Sequence, residues 1–247
     1  MDEIRRYPDG ESLARAAAEE FVRQANESIT NNGRFSAALA GGSTPKALYH
    51  LLASEDYRDE LGWGDIHLFW GDERCVPPDH EDSNFGMARR ALLDHIAIPD
   101  ANVHRMAAEI VPSEGAIEYH RQLDSYFRPG HSELPIFDLV LLGLGYDGHT
   151  ASLFPGDASL LERRRWVRAV EHTQRPLPLV TRLTLTLPVI NAARSVLFLV
   201  TGASKADAVG RVIREDENLP AGLVRPGSGR LLWMLDEAAA VGLPAGL

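Results

Sequence analysis

The sequence predicts an α/β fold: a single domain over residues 1–247, built on a mostly parallel sheet with helices on both faces, in the Rossmann-like manner. Three observations predict it. The strand candidates are near-continuous apolar runs rather than alternating ones, as expected of strands buried on both faces. Amphipathic helical segments separate them. A chain of 247 residues makes one large domain or two small ones, and no Ser/Gly/Pro linker, internal repeat or low-complexity tract divides it.

The first helix is predicted over Glu11–Thr30. Leu13, Ala17, Phe21, Val22, Ala25 and Ile29 fall on one side, Arg15, Glu19, Arg23 and Glu27 on the other, and Asn32-Gly33 ends it. Phe35–Ala40 is a short apolar run bounded by glycines and reads as a buried strand; Pro45–Ala53 reads as a helix. Ile66–Trp70 is the second strand, followed by a polar loop from Gly71 to Ser83. Asn84–His95 is helical, with Phe85, Ala88, Leu92 and Ile96 in register, and Ser113–Phe127 is a helix closed by Pro129-Gly130. Phe137–Leu142 is the most apolar strand. Trp166–Val170, Leu183–Leu187 and Ser195–Val200 are further strands, Ser204–Arg214 a helix, and Leu231–Leu235 the last strand.

Composition excludes several classes. Against 25 Lys+Arg stand 35 Asp+Glu, a net charge of -10, which argues against nucleic acid or an anionic membrane as partner but not against a small anion in a cleft. One cysteine cannot make an internal disulfide or a Cys-based zinc site. The start, Met1 to Pro8, has no apolar signal region, and no apolar run approaches the ~20 residues of a membrane helix. The expectation is a cytoplasmic protein, a monomer or small homo-oligomer. Arg163-Arg164-Arg165 reads as a solvated surface run.

In such folds ligands sit at the carboxyl ends of the strands, and three ends carry unusual chemistry. At the first, Ala40-Gly41-Gly42-Ser43-Thr44-Pro45, a glycine pair leads into a helix. Pro45 suits a first turn, Ser43 or Thr44 would be its N-cap, and the free N–H groups favour an anion; a tight strand-to-helix turn with an ordinary cap is the alternative. It is not a Walker loop, because Lys46 follows Pro45. At the second, Asp72, Glu73 and Arg74 follow directly on a buried strand. Arg74 suits phosphate or carboxylate, while the two acids would orient it or transfer protons; an ion cluster closing the strand is the alternative. Asp72, Glu73 and His80 have no metal-ligand spacing, Cys75 reads as a semi-buried small residue, and Asp82-Ser83-Asn84 as a helix cap.

At the third, Gly143, Gly145 and Gly148 spell G-x-G-x-x-G, and Glu171 follows at a dinucleotide-like interval. The Rossmann fingerprint needs a long helix on its third glycine, and Phe154-Pro155-Gly156-Asp157 breaks the chain too soon. What distinguishes this loop is Asp147-Gly148-His149: an imidazole on a glycine-rich loop is exposed and suited to proton transfer, and Asp147 would orient it. No Gly-x-Ser-x-Gly elbow supports a serine nucleophile.

Taken in order, the three ends resemble the 6-phosphogluconolactonase family. The likeness runs through Ala40–Pro45, Gly71–Arg74 with Val76-Pro77 and Asp82–Asn84, Gly143–Pro155, Thr181–Thr186, Asn191–Arg194, Val200–Ala206 and Leu219–Val224, nearly the whole chain. It implies the α/β fold shared with glucosamine-6-phosphate deaminases and ribose-5-phosphate isomerases. It also implies hydrolysis of 6-phospho-D-glucono-1,5-lactone to 6-phosphogluconate, the second step of the oxidative pentose phosphate pathway, without metal or organic cofactor. By position, His149 matches the catalytic histidine, Gly41, Gly42, Ser43 and Thr44 the phosphate-side loop, and Arg74 a substrate-site arginine. Arg182 and Lys205 lie in motifs supplying cationic contacts, Asp72 joins them on the substrate side, and Arg175 stands where the family often has Lys. The mechanism implied is neutral His149 as general base beside Asp147, Arg74 on substrate or oxyanion, and the Ser43-Thr44 loop with Lys205 on the phosphate. The rivals are an isomerase or deaminase on the same fold, a non-catalytic sugar-phosphate sensor, and an NAD(P) enzyme.

Overall fold

Ten strands are present among the described residues: β1 (Glu3–Tyr7), β2 (Phe35–Leu39), β3 (Ile66–Trp70), β4 (Asp72–Arg74), β5 (Val103–His104), β6 (Leu139–Leu142), β7 (Val167–Val170), β8 (Arg182–Leu185), β9 (Ser195–Val200) and β10 (Arg230–Asp236). The helices are α1 (Gly10–Asn32), α2 (Ser43–Leu52), α3 (Asn84–Ala91), α4 (Pro112–Phe127), α5 (Leu187–Asn191) and α6 (Ala206–Ile213). They come from a computed structural model that describes residues 3–128, 133–174, 176–214 and 219–244.

Seven strands form one parallel sheet in the order β1-β10-β9-β6-β2-β3-β5. Every residue of β2, β6 and β9 is buried, which accounts for their unbroken apolar runs. The two faces follow from side-chain alternation. Phe35 of β2 is in register with Ile66 of β3, and its ring meets Phe21 of α1 edge-on at 5.3 Å. Phe69, an odd number of residues from Ile66, points the other way and packs on Tyr126 and Phe127 of α4 at 5.1 and 5.7 Å. Hence α1 and α4 cover opposite faces.

The predicted elements of the parallel sheet recur within a residue or two. The helix α1 is capped by Asp9, which accepts from Ser12 N–H at 2.8 Å, and it ends at Gly33 in the left-handed region (φ 74°). Other expectations need correction. The predicted loop after Ile66–Trp70 contains β4, a charged segment with no strand pattern of its own. It becomes a strand by pairing antiparallel with β8, and β7 joins to complete a separate three-stranded sheet. The predicted strand to Leu187 stops at Leu185, because Pro188 starts α5. The predicted helix to His95 stops at Ala91 and continues as a 3-10 turn, Leu93–His95. The edge strands β1 and β5 were not expected; β1 alternates weakly and β5 has two residues. Pro129-Gly130 lies outside the described residues. No helix among the described residues is long and apolar enough to cross a membrane.

The β1 edge is held by one buried carboxylate. Glu20 of α1, 6% exposed, accepts from Arg230 of β10 at 2.5 Å, from Arg23 at 2.6 Å and from Gln24 at 2.8 Å. Arg230 also reaches Glu3 of β1 at 2.6 Å. Burial alone would raise the Glu20 carboxyl; the bonds from Arg23, Gln24 and Arg230 outweigh it and hold it at about 2. A depressed folded pKa contributes stability above the unfolded value that is lost as pH falls through the folded one. Glu20→Gln is therefore expected to cost about 2 kcal/mol at pH 7 by urea unfolding, with the difference from wild type closing between pH ~5 and ~2.

Candidate active site

The strand order reverses between β2 and β6. From β2 the chain winds outward through β3 to β5; from β6 it winds the other way through β9 to β10. The loops leaving β2 and β6 therefore part at their carboxyl ends and leave a crevice, the usual ligand position in such sheets. All three sequence-predicted loops meet there.

At the first, the Tyr49 hydroxyl pins the end of β2, donating to the Ala40 carbonyl at 2.8 Å and accepting from its N–H at 3.0 Å. Gly42, not Ser43 or Thr44, is the N-cap of α2, with φ 103° and no side-chain capping bond; Ser43 is already the first helical residue. The turn needs a positive φ that glycine alone adopts cheaply, so the helix start moves back. The Thr44 hydroxyl bonds that of Thr201 at 2.7 Å.

At the second, alternation along β4 sends Asp72 and Arg74 one way and Glu73 the other. Buried Glu73 accepts from the backbone N–H groups of Arg74, Asn84 and Phe85, each at 2.7 Å, and from the Ser83 hydroxyl at 3.0 Å. It is a carboxyl set on the N-terminus of α3; burial raises its pKa, and the backbone N–H groups of Phe85, Asn84 and Arg74 oppose that shift. Asp72 accepts from the Ser152 hydroxyl at 2.6 Å and from Asn84 Nδ2 at 3.2 Å. Arg74 donates to the Asp82 carbonyl at 2.7 Å. Its register partner on β8 is Arg182, buried and donating to the carbonyls of Val180 and Pro178 at 3.2 and 2.9 Å. Burial, and then the Arg74 charge, lower the Arg182 pKa. The Cys75 thiol is pushed up to about 11 by burial and the Glu73 charge, which suits the expected inert residue.

At the third, Gly145 N–H donates to the His149 carbonyl at 2.8 Å and Gly148 N–H to Gly145 at 3.0 Å, closing a tight loop. His149 Nδ1 lies 2.5 Å from Asp147 Oδ1. A carboxylate only accepts, so Nδ1 carries the proton; in the neutral ring this tautomer leaves the lone pair on Nε2. Burial pushes the Asp147 carboxyl up, but the hydrogen bond and charge of His149 outweigh it, and its pKa lies below the ordinary value. A Cβ on Gly145 would fall on the His149 ring, so this approach requires glycine. The ring leans on Phe154 at 4.9 Å, itself stacked on buried His172 at 4.1 Å. No helix follows Gly148; the next helical turn is Ala158–Leu161, in keeping with the rejected dinucleotide reading.

These groups line a small cavity of about 190 Å³. Of the sequence-predicted residues, Gly41, Gly42, Asp72, Arg74, His149 and Lys205 line it. Asp147 stands behind His149, while Ser43 and Thr44 follow the lining glycines without lining it themselves. Arg182 is not in the lining and backs Arg74 across the sheet, and Arg175 lies outside the described residues. Lys205 is half-buried; burial lowers its pKa and the Asp147 charge opposes that shift. The lining also includes Asn84, which by sequence belongs to a cap, Asp82-Ser83-Asn84; Ser83 is the cap, accepting from Gly86 N–H at 2.9 Å. Only the direction in which α3 enters could have distinguished the two. Among the described residues no group of three or more His, Cys, Asp or Glu is gathered to hold a metal ion.

The family profile described as glucosamine-6-phosphate isomerases/6-phosphogluconolactonase matches residues 8–233. The chain belongs to that family. A Synechocystis 6-phosphogluconolactonase is 45% identical over 221 residues, 88% of each chain. A Nostoc protein of the same name is 41% identical over 96% of each. The solved structure of the Trypanosoma brucei 6-phosphogluconolactonase superposes with a TM-score of 0.88 at 34% identity, covering 99% of both chains. The α/β expectation and the family resemblance are both met.

Within this family site, Glu73 is a structural carboxylate. Glu73→Gln keeps the shape but turns an NH2 toward N–H donors, so unfolding free energy is expected to fall by about 2–3 kcal/mol, measured by urea denaturation at pH 7.

Proposed function

We propose that this chain hydrolyses 6-phospho-D-glucono-1,5-lactone to 6-phospho-D-gluconate, with His149 as the general base. The chain is an enzyme of the 6-phosphogluconolactonase type, as its relatives at 40–45% identity over 88–97% of its length are. The observation that carries the residue assignment is the Asp147–His149 pair at 2.5 Å, opening on a cavity also lined by Arg74, Lys205 and the Gly41-Gly42 turn before α2.

A lactone is an activated cyclic ester. Its opening needs a nucleophilic water, help for the oxyanion, and a proton for the departing ring oxygen. The lone pair on His149 Nε2 takes a proton from water as the oxygen bonds to the C1 carbonyl. Asp147 offsets the imidazolium charge so formed. Arg74 faces the developing oxyanion. As the bond from C1 to the ring oxygen breaks, the imidazolium returns its proton to that oxygen; the new acid then ionises. No covalent intermediate is needed, and the inert Cys75 is in keeping with that. The first turn of α2 and Lys205 take the 6-phosphate, holding the distant carbonyl in place.

The isomerase or deaminase reading needs a carboxylate free to move a proton between C1 and C2. Asp72 is the candidate, and with one hydrogen bond on each oxygen it keeps further lone pairs. What favours the lactonase reading is the set of relatives at 40–45% identity.

Three outcomes are expected when freshly generated lactone is followed by pH-stat against its spontaneous opening. His149→Ala loses about 10²–10⁴-fold in kcat; near-wild-type turnover would refute the assignment. Gly145→Ala, whose Cβ meets the His149 ring, loses about 10²-fold with little change in Tm. Lys205→Met raises KM by about tenfold or more through loss of a charged hydrogen bond, with a smaller change in kcat.

A further inference from the structure

We propose that Asn84 is a specificity-determining residue, accepting a hydrogen bond from one ring hydroxyl of the substrate. The inference rests on the lactonase reading and adds a contact in the same cavity.

Asn84 is the first residue of α3 and is 2% exposed. Its backbone is anchored before its side chain does anything: its N–H donates to Glu73 Oε1 at 2.7 Å, and that of Phe85 to Oε2 at 2.7 Å. The carboxamide therefore starts from a fixed Cα. Its orientation follows from chemistry. Nδ2 lies 2.9 Å from the Asp72 carbonyl and 3.2 Å from Asp72 Oδ1. Both neighbours are acceptors, so the atom between them must be the donor; a flipped amide would set oxygen against two oxygens. Asp72 is held in turn by the Ser152 hydroxyl at 2.6 Å.

With Nδ2 spent on Asp72, Oδ1 turns toward Gly41, and no hydrogen bond reaches it from the described residues. A Cβ on Gly41 would land on this carboxamide. Glycine at 41 is thus what leaves Oδ1 its place, and Gly41 and Asn84 line the cavity together. An amide oxygen accepts and never donates, and the oxygens of Asp72 beside it are held as acceptors by Asn84 and Ser152. One wall of the cavity is thus built of acceptors, while Arg74 and Lys205 supply donors elsewhere. A phosphorylated polyhydroxy lactone matches this division, with its anion toward the cations and a hydroxyl donor toward Asn84. A substrate lacking that hydroxyl would leave Oδ1 desolvated and unpaired, the arrangement that rejects deoxy analogues most strongly.

The test compares kcat/KM for 6-phosphogluconolactone with its 2-, 3- and 4-deoxy counterparts, each generated in situ from the corresponding sugar 6-phosphate. Ratios between substrates on one preparation do not depend on the folded fraction. The wild type is expected to disfavour one deoxy lactone by about 10–10²-fold. Asn84→Leu, which removes the acceptor at similar volume, should bring that one ratio to within about threefold of unity and leave the other two where they were. Asn84→Ala, which also removes the acceptor, serves as a second variant should the leucine disturb the start of α3, with the same collapse expected. Wild-type turnover with all three ratios unmoved by either substitution, or all three moved equally, overturns the proposal alone. A wild type that opens no lactone faster than the blank overturns the lactonase reading, and this one with it.

Discussion

Every strand of the main sheet runs the same way, and the site depends on that constraint. Parallel pairing places all the carboxyl ends on one edge, so loops far apart in sequence are delivered to a common rim. The reversal between β2 and β6 does the rest, because loops that depart in opposite directions cannot close over the gap they leave. The glycine turn after β2, the charged strand after β3 and the histidine loop after β6 meet in that gap for this topological reason, before any side chain touches another.

The small antiparallel sheet acts on the site as a frame. By pairing with β8, β4 is made to alternate, which puts Asp72 and Arg74 toward the cavity and Glu73 behind it. Glu73 then ties β4 to the start of α3 through backbone N–H groups. One buried carboxylate thus helps place three residues of the cavity lining, Asp72, Arg74 and Asn84, without itself lining the cavity. Arg182, directly across from Arg74, is buried and spent on the carbonyls of Val180 and Pro178.

The charge of the whole protein and that of the pocket have opposite sense. A chain of net charge -10 repels polyanions over its surface, yet the cavity gathers Arg74, Lys205 and a helix start around a few carboxylates that are each occupied. Asp147 is matched to His149 and Asp72 to Ser152 and Asn84. In the proposed reading the acids serve as orienting groups, and the cationic groups and α2 are left for an anionic ligand.

Much of this was legible in the residues. Apolar runs such as Phe35–Leu39 and Ser195–Val200 announce strands because burial on both faces leaves no polar option, and Gly33 ends α1 because a positive φ calls for glycine. Gly41 and His149 were readable because they sit in loops right after strands, and Asp72 and Arg74 because they follow directly on β3, while Lys205 is legible only through the family resemblance. What escaped was whatever depends on a partner distant in sequence. Strand β4 has no pattern of its own and exists by pairing with β8. Arg182 looks like a ligand contact in one dimension and turns out to be buried against carbonyls. Asn84 looks like a cap and faces the cavity. The sequence by itself determined the elements, their order and the chemistry carried at three strand ends, since those follow from local propensity and burial pattern. Only the tertiary structure decided which of those side chains share a cavity and which stand behind it, because that choice is made by cross-strand register and helix entry, interactions between residues tens of positions apart.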